Sequence, residues 1–225
     1  MTEGSTTKAG KRGGVRGRID KRQAILEAAF RIFARDGYGQ SCVREIAAEA
    51  NVAKPTVYNH LGDKETLFHE AMEAAVIRTV GRSLAALDRL REPEGEMRSA
   101  LEETGHRLLK SHCSSESQAL RSLLHAEGPR FPGLLKEAQR EGPQRVQEVL
   151  ADRLARLALS GRLTVTDPDQ SSEQFLALLT GPLDLRSRLG TRRVPDTELR
   201  SVARAATDTF LRAYGAGGAG AADGA

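Results

Sequence analysis

The sequence of 225 residues predicts an all-α protein, in which a three-helix head is joined by one long helix to a larger helical body. Alanine, leucine, arginine and glutamate dominate the composition, and aromatic residues make up only 4%, which favours helices packed through aliphatic side chains. Apolar residues recur at spacings of three and four, as they do on one face of a helix. Glycine and proline separate these periodic segments and mark their ends.

The N-terminal stretch, residues 1–18, is rich in glycine, threonine and basic residues and contains almost nothing that a core could bury. Segments of low hydrophobicity and high charge tend to stay unfolded, so we expect a disordered basic arm. Residues 1–22 contain seven lysines or arginines against two acidic residues, a balance of +5, while the rest of the chain balances at −1. Positive charge is therefore concentrated ahead of the first helix.

The head is predicted to contain three helices. The first runs from Asp20 to Arg35, with Gly37 just past its end. Two short helices follow, and we expect Ser41 to cap the first and Asn51 to end it in the left-handed conformation. Pro55 fits the first turn of the second short helix, where a missing N–H costs no hydrogen bond.

The second short helix has a polar outward face that includes a lysine. A short helix, a tight turn and a second helix of this kind are typical of a helix-turn-helix, whose second helix lies in a DNA major groove. Lysines neutralise phosphates there, and neutral polar side chains bind phosphate oxygens or base edges. An ordinary solvated helix can have the same composition, so that alternative stays open. The candidate DNA-binding residues are Ser41, Cys42, Arg44, Lys54, Pro55, Thr56, Tyr58, Asn59, His60 and Lys64.

The segment from Arg22 to Leu67 resembles the N-terminal domain of TetR-type transcriptional regulators. The matching residues are Ile25, Ala28, Ala29, Phe33, Gly37, Tyr38, Val43, Ile46, Ala47, Ala50, Val52, Lys54, Thr56, Tyr58, His60, Lys64, Glu65 and Leu67. Residues 126–143 resemble a C-terminal domain type found in a subset of these regulators. The resemblance implies a homodimer, usually one whose repression a small molecule relieves. It implies a DNA-binding domain at residues 19–79, with its motif at about 42–61, and a ligand-binding and dimerisation domain at 80–214.

Several positions depart from the family's pattern. Cys42 stands where a hydroxyl residue is usual, and Ala53 replaces the usual serine, whose loss as a helix cap costs about 1 kcal/mol. Asn51, Pro55 and Leu61 depart as well. The departures at Cys42, Ala53 and Pro55 motivate an alternative function, a small-molecule binding or carrier protein with weakened DNA affinity.

The head is followed by a long helix, predicted from Asp63 to about Leu90, with Asp63 as its cap. It starts beside the DNA-binding surface and ends in the body, so we expect it to link the two mechanically. Pro93 and Gly95 then break the helix. Four further helices are predicted at Met97–Lys110, Ser117–Glu127, Pro132–Glu141 and Pro143–Ser160.

Three histidines of the body, with Cys113, raise the question of a metal site. None of them is paired at the CxxC or HxxxH spacing that places two ligands on one helix face, so we expect no metal and no cofactor. They are either scattered polar residues or the polar lining of a pocket for an unidentified small-molecule effector. The candidate ligand-binding residues are His106, His112 and His125.

The C-terminal part begins with a turn-forming linker at Thr166–Ser171. A helix predicted at Phe175–Leu185 is apolar nearly all round, with Asp184 as its only charge, and a kink is expected at Gly181. A last helix begins at Pro195 and precedes a disordered tail at 215–225. The resemblance implies that these two helices pair with their copies in a dimer. The candidate interface residues are Phe175, Leu178, Leu179, Leu183, Val202, Ala206 and Phe210.

The remaining signals concern location and reaction class. Without a run of eighteen apolar residues or a signal-peptide pattern, the sequence favours a cytoplasmic protein that does not enter a membrane. It contains no nucleotide-binding glycine loop, no G-x-S-x-G and no HExxH, so an enzyme is the least favoured alternative.

The expected partners are double-stranded DNA, an effector and a second copy of the chain. The basic arm either follows DNA or is a solubilising tail.

Overall fold

A computed structural model describes residues 11–93, 95–187 and 192–216 of the protein. All regular secondary structure in these ranges is helical, apart from one isolated β-bridge between Leu163 and Gly215, so the predicted all-α class is confirmed. The α-helices are α1 (Lys11–Gln40), α2 (Val43–Glu49), α3 (Lys54–Leu61), α4 (Lys64–Leu87), α5 (Met97–His112), α6 (Ser115–Glu127), α7 (Pro132–Gln139), α8 (Arg145–Leu159), α9 (Pro168–Thr180), α10 (Leu183–Arg186) and α11 (Asp196–Tyr214). A 3₁₀ turn, Asp88–Leu90, extends α4, and a π-helical turn, Arg140–Gln144, joins α7 to α8.

The first hydrophobic core includes the whole head and the nearest part of the body. Buried residues of α1 to α3, such as Phe33, Ile46 and Val57, form one cluster with Phe68 of α4. The same cluster includes residues of α6 and α7 and the loop between them, among them Phe131. The head is therefore packed directly against the body.

The second hydrophobic core fills the body. It is formed by the end of α4 together with α5, α8, α9 and α11, and its side chains are mainly leucines with Phe175 and Phe210 at the centre. The two aromatic rings lie 4.9 Å apart in an edge-to-face arrangement, which is a favourable geometry for such a pair.

Helix α4 is the element that both cores share. Its 24 residues span about 36 Å at 1.5 Å per residue, and it begins as predicted, with Oδ1 of Asp63 accepting a hydrogen bond of 2.7 Å from the Thr66 amide. A rigid helix of this length can carry a displacement in the body to the head.

The predicted N-terminal boundary is wrong. Helix α1 begins at Lys11 and not at Asp20, so the part of the expected arm at 11–18 is helical, while residues 1–10 lie outside the described ranges. Adding turns to an existing helix needs no new nucleation, which explains how a glycine-rich segment can join it. Near its C-terminus, the helix is interrupted at Gly37, whose φ is 72° and ψ 169°.

The predicted linker at Thr166–Ser171 is also wrong. Helix α9 begins at Pro168 because Oδ1 of Asp167 accepts a hydrogen bond of 2.9 Å from the Gln170 amide, and proline fits the first turn. The helix ends at Thr180, so Gly181 lies at a break between α9 and α10 where a kink was expected.

The predicted disordered tail begins too early. The Thr164 amide donates a hydrogen bond of 2.8 Å to the Tyr214 carbonyl, and Gly215 pairs with Leu163. Residues 217–225 lie outside the described ranges. Among the described helices, none is long and apolar enough to cross a membrane.

Candidate DNA-binding surface

The turn between α2 and α3 has the geometry that the sequence predicted. Asn51 has a φ of 53°, and it is the one residue other than glycine with a positive φ in the described ranges. The turn is closed by a hydrogen bond of 2.9 Å from the Val52 amide to the Ala47 carbonyl, a pairing typical of a left-handed helix end.

Helix α3 is anchored from one side only. Val57 and Leu61 are its buried residues, and Gly62, with a φ of 69°, ends it. Pro55 occupies the first turn as predicted, while Ala53 precedes the helix without capping it. Because two apolar residues hold the helix, the remaining face is open to a partner.

The predicted DNA-binding residues of α3 all lie on this open face. Lys54, Pro55, Tyr58 and Asn59 are exposed, and Thr56 and His60 are partly exposed. Tyr58 is 42% exposed, and the Lys54 ammonium lies 5.6 Å from its ring centroid. An aromatic hydroxyl beside a cation is well suited to phosphate oxygens.

The predicted role of Ser41 is wrong. Ser41 is only 5% exposed, and its Oγ donates a hydrogen bond of 2.9 Å to the Tyr38 carbonyl. It therefore neither caps α2 nor faces a partner. The cap position belongs to the exposed Cys42, whose thiol forms no capping hydrogen bond, although the nearby amides of Arg44 and Glu45 lower its pKa.

The acidic residues of α2 are neutralised within the head. Glu49 pairs with Arg31 of α1 at 2.9 Å, and Glu45 lies 3.4 Å from Arg35. The basic residues at the open face have no such partner, since no ion pair forms on them in the described part of the chain. These residues are Arg44, Lys54 and Lys64. The face is therefore left with unpaired positive charge, which favours a polyanion.

Lys64 lies at the edge of this face, where α4 begins. Its Nζ donates a hydrogen bond of 3.4 Å to the Gly39 carbonyl and lies 4.8 Å from the centroid of the Tyr38 ring. The position of this ammonium thus depends on the last turn of α1, which follows the interruption at Gly37.

The three candidate ligand-binding histidines differ in their surroundings. His106 is 3% exposed, and its Nε2 lies 2.7 Å from Oδ1 of Asp196 in α11. His112 is partly exposed at the end of α5, and His125 is exposed on α6. Within the described ranges, no three His, Cys, Asp or Glu side chains cluster as metal ligands would.

The predicted dimer-interface residues need a similar correction. Six of them are buried inside a single chain, where they form part of the second core, and Leu178 alone is partly exposed. The six are Phe175, Leu179, Leu183, Val202, Ala206 and Phe210. The periodicity identified buried positions correctly, but what covers them is the same subunit.

Sequence reasoning missed the contacts between head and body. The Tyr38 amide donates a hydrogen bond of 3.0 Å to Oε1 of Glu127, and the guanidinium of Arg130 lies 4.5 Å from the centroid of the Tyr38 ring. No local pattern signals such contacts, because the partners are about ninety residues apart.

Two family profiles match the chain. The profile described as bacterial regulatory proteins of the tetR family matches residues 25–71. The profile described as the C-terminal domain of AefR-like transcriptional repressors matches residues 99–216, which is just over half of the chain.

Related proteins give the same assignment. The chain is 23% identical over 168 residues to the uncharacterized HTH-type transcriptional regulator YvkB of Bacillus subtilis, covering 75% of this chain and 84% of YvkB. It is 39% identical over 54 residues to the HTH-type transcriptional regulator AcrR of Shigella flexneri, covering 24% of this chain and 25% of AcrR.

Solved structures extend the similarity to the whole fold. A Mesorhizobium loti protein assigned to the TetR-family regulators is 28% identical, with a TM-score of 0.80 over 88% of this chain and 98% of its own. The flavonoid-responsive regulator FrrA, which is 24% identical, shares the fold with a TM-score of 0.66 over 87% of this chain and 97% of its own. The profiles, the relatives and the open α3 face agree: this chain belongs to the TetR family, a family of DNA-binding transcriptional regulators and not of enzymes.

Proposed function

We propose that the protein is a homodimeric repressor that binds a palindromic DNA operator through α3 and releases it when a small molecule binds the body. The observation that carries this proposal is the open face of α3, a polar helix surface that only Val57 and Leu61 anchor from behind. We assign DNA binding to residues 19–79 and effector binding and dimerisation to residues 80–214.

The side chains of the open face divide into two roles. Arg44, Lys54 and Lys64 are placed to neutralise phosphates, and the Tyr58 hydroxyl to bind a phosphate oxygen. Asn59 is exposed on the same helix, and its amide suits a bidentate contact with adenine. Thr56, His60, Cys42 and Pro55 complete the surface.

Dimerisation would use the outer surface of α9 and α11, since the residues first predicted lie beneath it. Exposed small residues follow one another at four-residue spacing along α11, and this spacing places them on one face. They are Ser201, Ala205, Thr209 and Ala213. On α9 the partly exposed Leu178 lies next to the exposed Ala177. Small side chains let helices approach closely, so two copies of this surface can form a four-helix bundle.

A dimer of this kind would place two α3 helices about 34 Å apart, one turn of DNA, on a symmetrical site. An effector only has to stabilise a state of the dimer in which the distance between the two α3 helices no longer matches one turn of DNA. A coupling of about 1 to 3 kcal/mol changes operator affinity roughly 5- to 150-fold. FrrA, which shares the fold, is flavonoid-responsive, which supports a small-molecule effector as a class without naming one.

The proposal is tested by binding measurements on two duplexes, one selected by the wild-type protein from a random pool and one with the same bases scrambled. Lys64→Ala and Tyr58→Phe should weaken binding to both duplexes, because they remove phosphate contacts. Asn59→Ala should weaken binding to the selected duplex alone. Equal losses on both duplexes for Asn59→Ala would remove its base-reading role, and wild-type affinity in all three variants would show that the α3 face is not the DNA-binding surface.

A further inference from the structure

Residues 37–41, the segment that begins at the interruption of α1 at Gly37 and leads to α2, are tied to two other parts of the protein. The Tyr38 amide donates to Oε1 of Glu127 at the end of α6, at 3.0 Å. Within the segment, the Tyr38 carbonyl accepts from Oγ of Ser41 at 2.9 Å, just before the start of α2. The Gly39 carbonyl accepts from Nζ of Lys64 in α4 at 3.4 Å. This short segment thus connects the body with Lys64, at the edge of the proposed DNA-binding surface.

The bond to Glu127 has a clear local cause. Gly37 adopts a φ of 72° and a ψ of 169°, which takes the Tyr38 amide out of the hydrogen-bonding pattern of α1. The residue is only 7% exposed, so without a new acceptor its amide would be a buried donor with no partner, which is costly. The Glu127 carboxylate supplies the acceptor from the body.

The Tyr38 ring is held in a second set of contacts. It packs edge-on against Phe68 and Phe131, with centroids 5.0 Å away in both cases. Two cations lie near the ring, Lys64 from the head at 4.8 Å and Arg130 from the body at 4.5 Å. The ring is therefore close to both a proposed phosphate-binding side chain and a side chain of the body.

We propose that Glu127 and Arg130 are positioning residues for DNA binding, through which the corner between α6 and α7 sets the position of the segment at 37–41 and of Lys64. The inference rests on the proposed role of the α3 face and its rim in binding DNA. It identifies where the body acts on the head: a displacement of the corner moves Tyr38, and with it the ammonium of Lys64 and the start of α2.

A competing explanation is that Arg130, which is exposed, touches a DNA phosphate itself. The two explanations differ in salt dependence. Each phosphate contact adds about 0.9 to the slope of log affinity against log salt. A positioning residue shifts the Lys64 ammonium but leaves it beside the phosphates, so affinity falls while the slope stays nearly the same, whereas loss of a direct contact lowers the slope by about 1.

The experiment compares Glu127→Ala, Glu127→Gln and Arg130→Ala with Glu137→Ala, an exposed acidic residue of α7, as the matched control. Glutamine keeps an oxygen acceptor for the Tyr38 amide and alanine does not. Hydrogen exchange is measured without DNA on the peptide that contains Tyr38. Affinity for the selected and scrambled duplexes is measured at several salt concentrations, after circular dichroism has shown that each variant is folded.

We expect Glu127→Ala to speed exchange of the Tyr38 amide about tenfold and to weaken binding to the selected duplex by a similar factor, while Glu127→Gln stays within about twofold of wild type. Arg130→Ala should weaken binding with an unchanged salt slope. Wild-type affinity in Glu127→Ala despite faster exchange would overturn the inference, and so would a slope lowered by about 1 in Arg130→Ala. If Glu127→Ala does not fold, the affinity and salt slope of Arg130→Ala alone test the inference. Failure of the wild-type protein to bind any duplex would instead refute the proposed function.

Discussion

Nε2 of His106 in α5 lies 2.7 Å from Oδ1 of Asp196 in the first turn of α11. The histidine is buried and the aspartate is exposed, so the pair joins the interior of one helix to the outer end of another, ninety residues further along. Asp196 also accepts a hydrogen bond of 3.0 Å from Arg200, and the bond to His106 is the main cause that lowers the Asp196 pKa. A histidine that the sequence offered as a ligand-binding residue is thus a structural link between helices.

His106→Ala should therefore lower the free energy of unfolding by about 2 kcal/mol, since it removes a buried side chain and leaves a hydrogen bond unmade. Urea denaturation measures the change. His125→Ala, on an exposed position, is the control and should change stability by less than about 0.5 kcal/mol. Unchanged stability in His106→Ala would return this histidine to the list of ligand-binding candidates.

Helix α3 lacks a side-chain cap, and a substitution at Ala53 can introduce one. Ala53 has the extended backbone of a cap residue, with φ −72° and ψ 143°, so a serine there can accept a hydrogen bond from the first turn. Ala53→Ser should raise the free energy of unfolding by about 1 kcal/mol, measured by urea denaturation. Ala48→Ser, at an exposed position inside α2, should lower it slightly because serine has a lower helix propensity than alanine. A gain of equal size at both positions would show that capping is not the cause.

Glu116 should make stability depend on pH. Its carboxylate accepts hydrogen bonds of 2.8 Å from Arg78 and from Arg82, and so links α6 to α4. Burial alone would raise the Glu116 pKa, but the two hydrogen bonds outweigh it and lower the pKa below its ordinary value of 4.5. A group with a lowered pKa in the folded state stabilises the protein fully above its ordinary pKa, and this contribution is lost as the pH falls through the folded-state value.

Wild type should therefore exceed Glu116→Gln in unfolding free energy by roughly 1 kcal/mol at neutral pH, and the difference should shrink as the pH falls below 4.5. Urea denaturation at a series of pH values measures it. Glu92→Gln, at an exposed position without an ion pair in the described ranges, should show no such trend. A difference that stays constant down to pH 3 would contradict the account of Glu116.

The two cysteines should react at different rates. Neighbouring amides lower the pKa of the exposed Cys42 thiol, while burial raises the pKa of Cys113. At neutral pH, iodoacetamide should label Cys42 about tenfold faster or more, as peptide mass spectrometry can measure. Because Cys42 lies at the start of α2, the selected duplex should slow its labelling and leave Cys113 unaffected. Equal labelling of Cys42 with and without saturating duplex would place it outside the DNA interface.

Features that depend on sequence neighbours were predictable. The conformation of Asn51, the place of Pro55 and the cap at Asp63 follow from local rules that need no tertiary contacts. The start of α9 also follows from a local rule, since Asp167 followed by Pro168 is a typical helix start, although the polar residues around it are equally typical of the linker predicted there. The Ser41 hydroxyl can either cap α2 or donate to the Tyr38 carbonyl, as it does in the structure. The sequence does not decide between these two hydrogen bonds.

Features that depend on which surfaces meet could not be predicted. The apolar stripes of α9 and α11 require burial, and a sequence cannot tell burial inside one chain from burial against a copy. The pairs of His106 with Asp196 and of Tyr38 with Glu127 arise only after the helices have packed. The contacts that connect body and head belong to this second group.

The central claim, that two α3 helices of a dimer read DNA, is tested most directly by selecting duplexes from a random-sequence pool with the purified protein and measuring how many chains bind each selected duplex. The account predicts enrichment of a palindrome whose half-sites lie about one helical turn apart, bound by two chains. No enriched sequence at low salt, or a single chain on an asymmetric site, would contradict it.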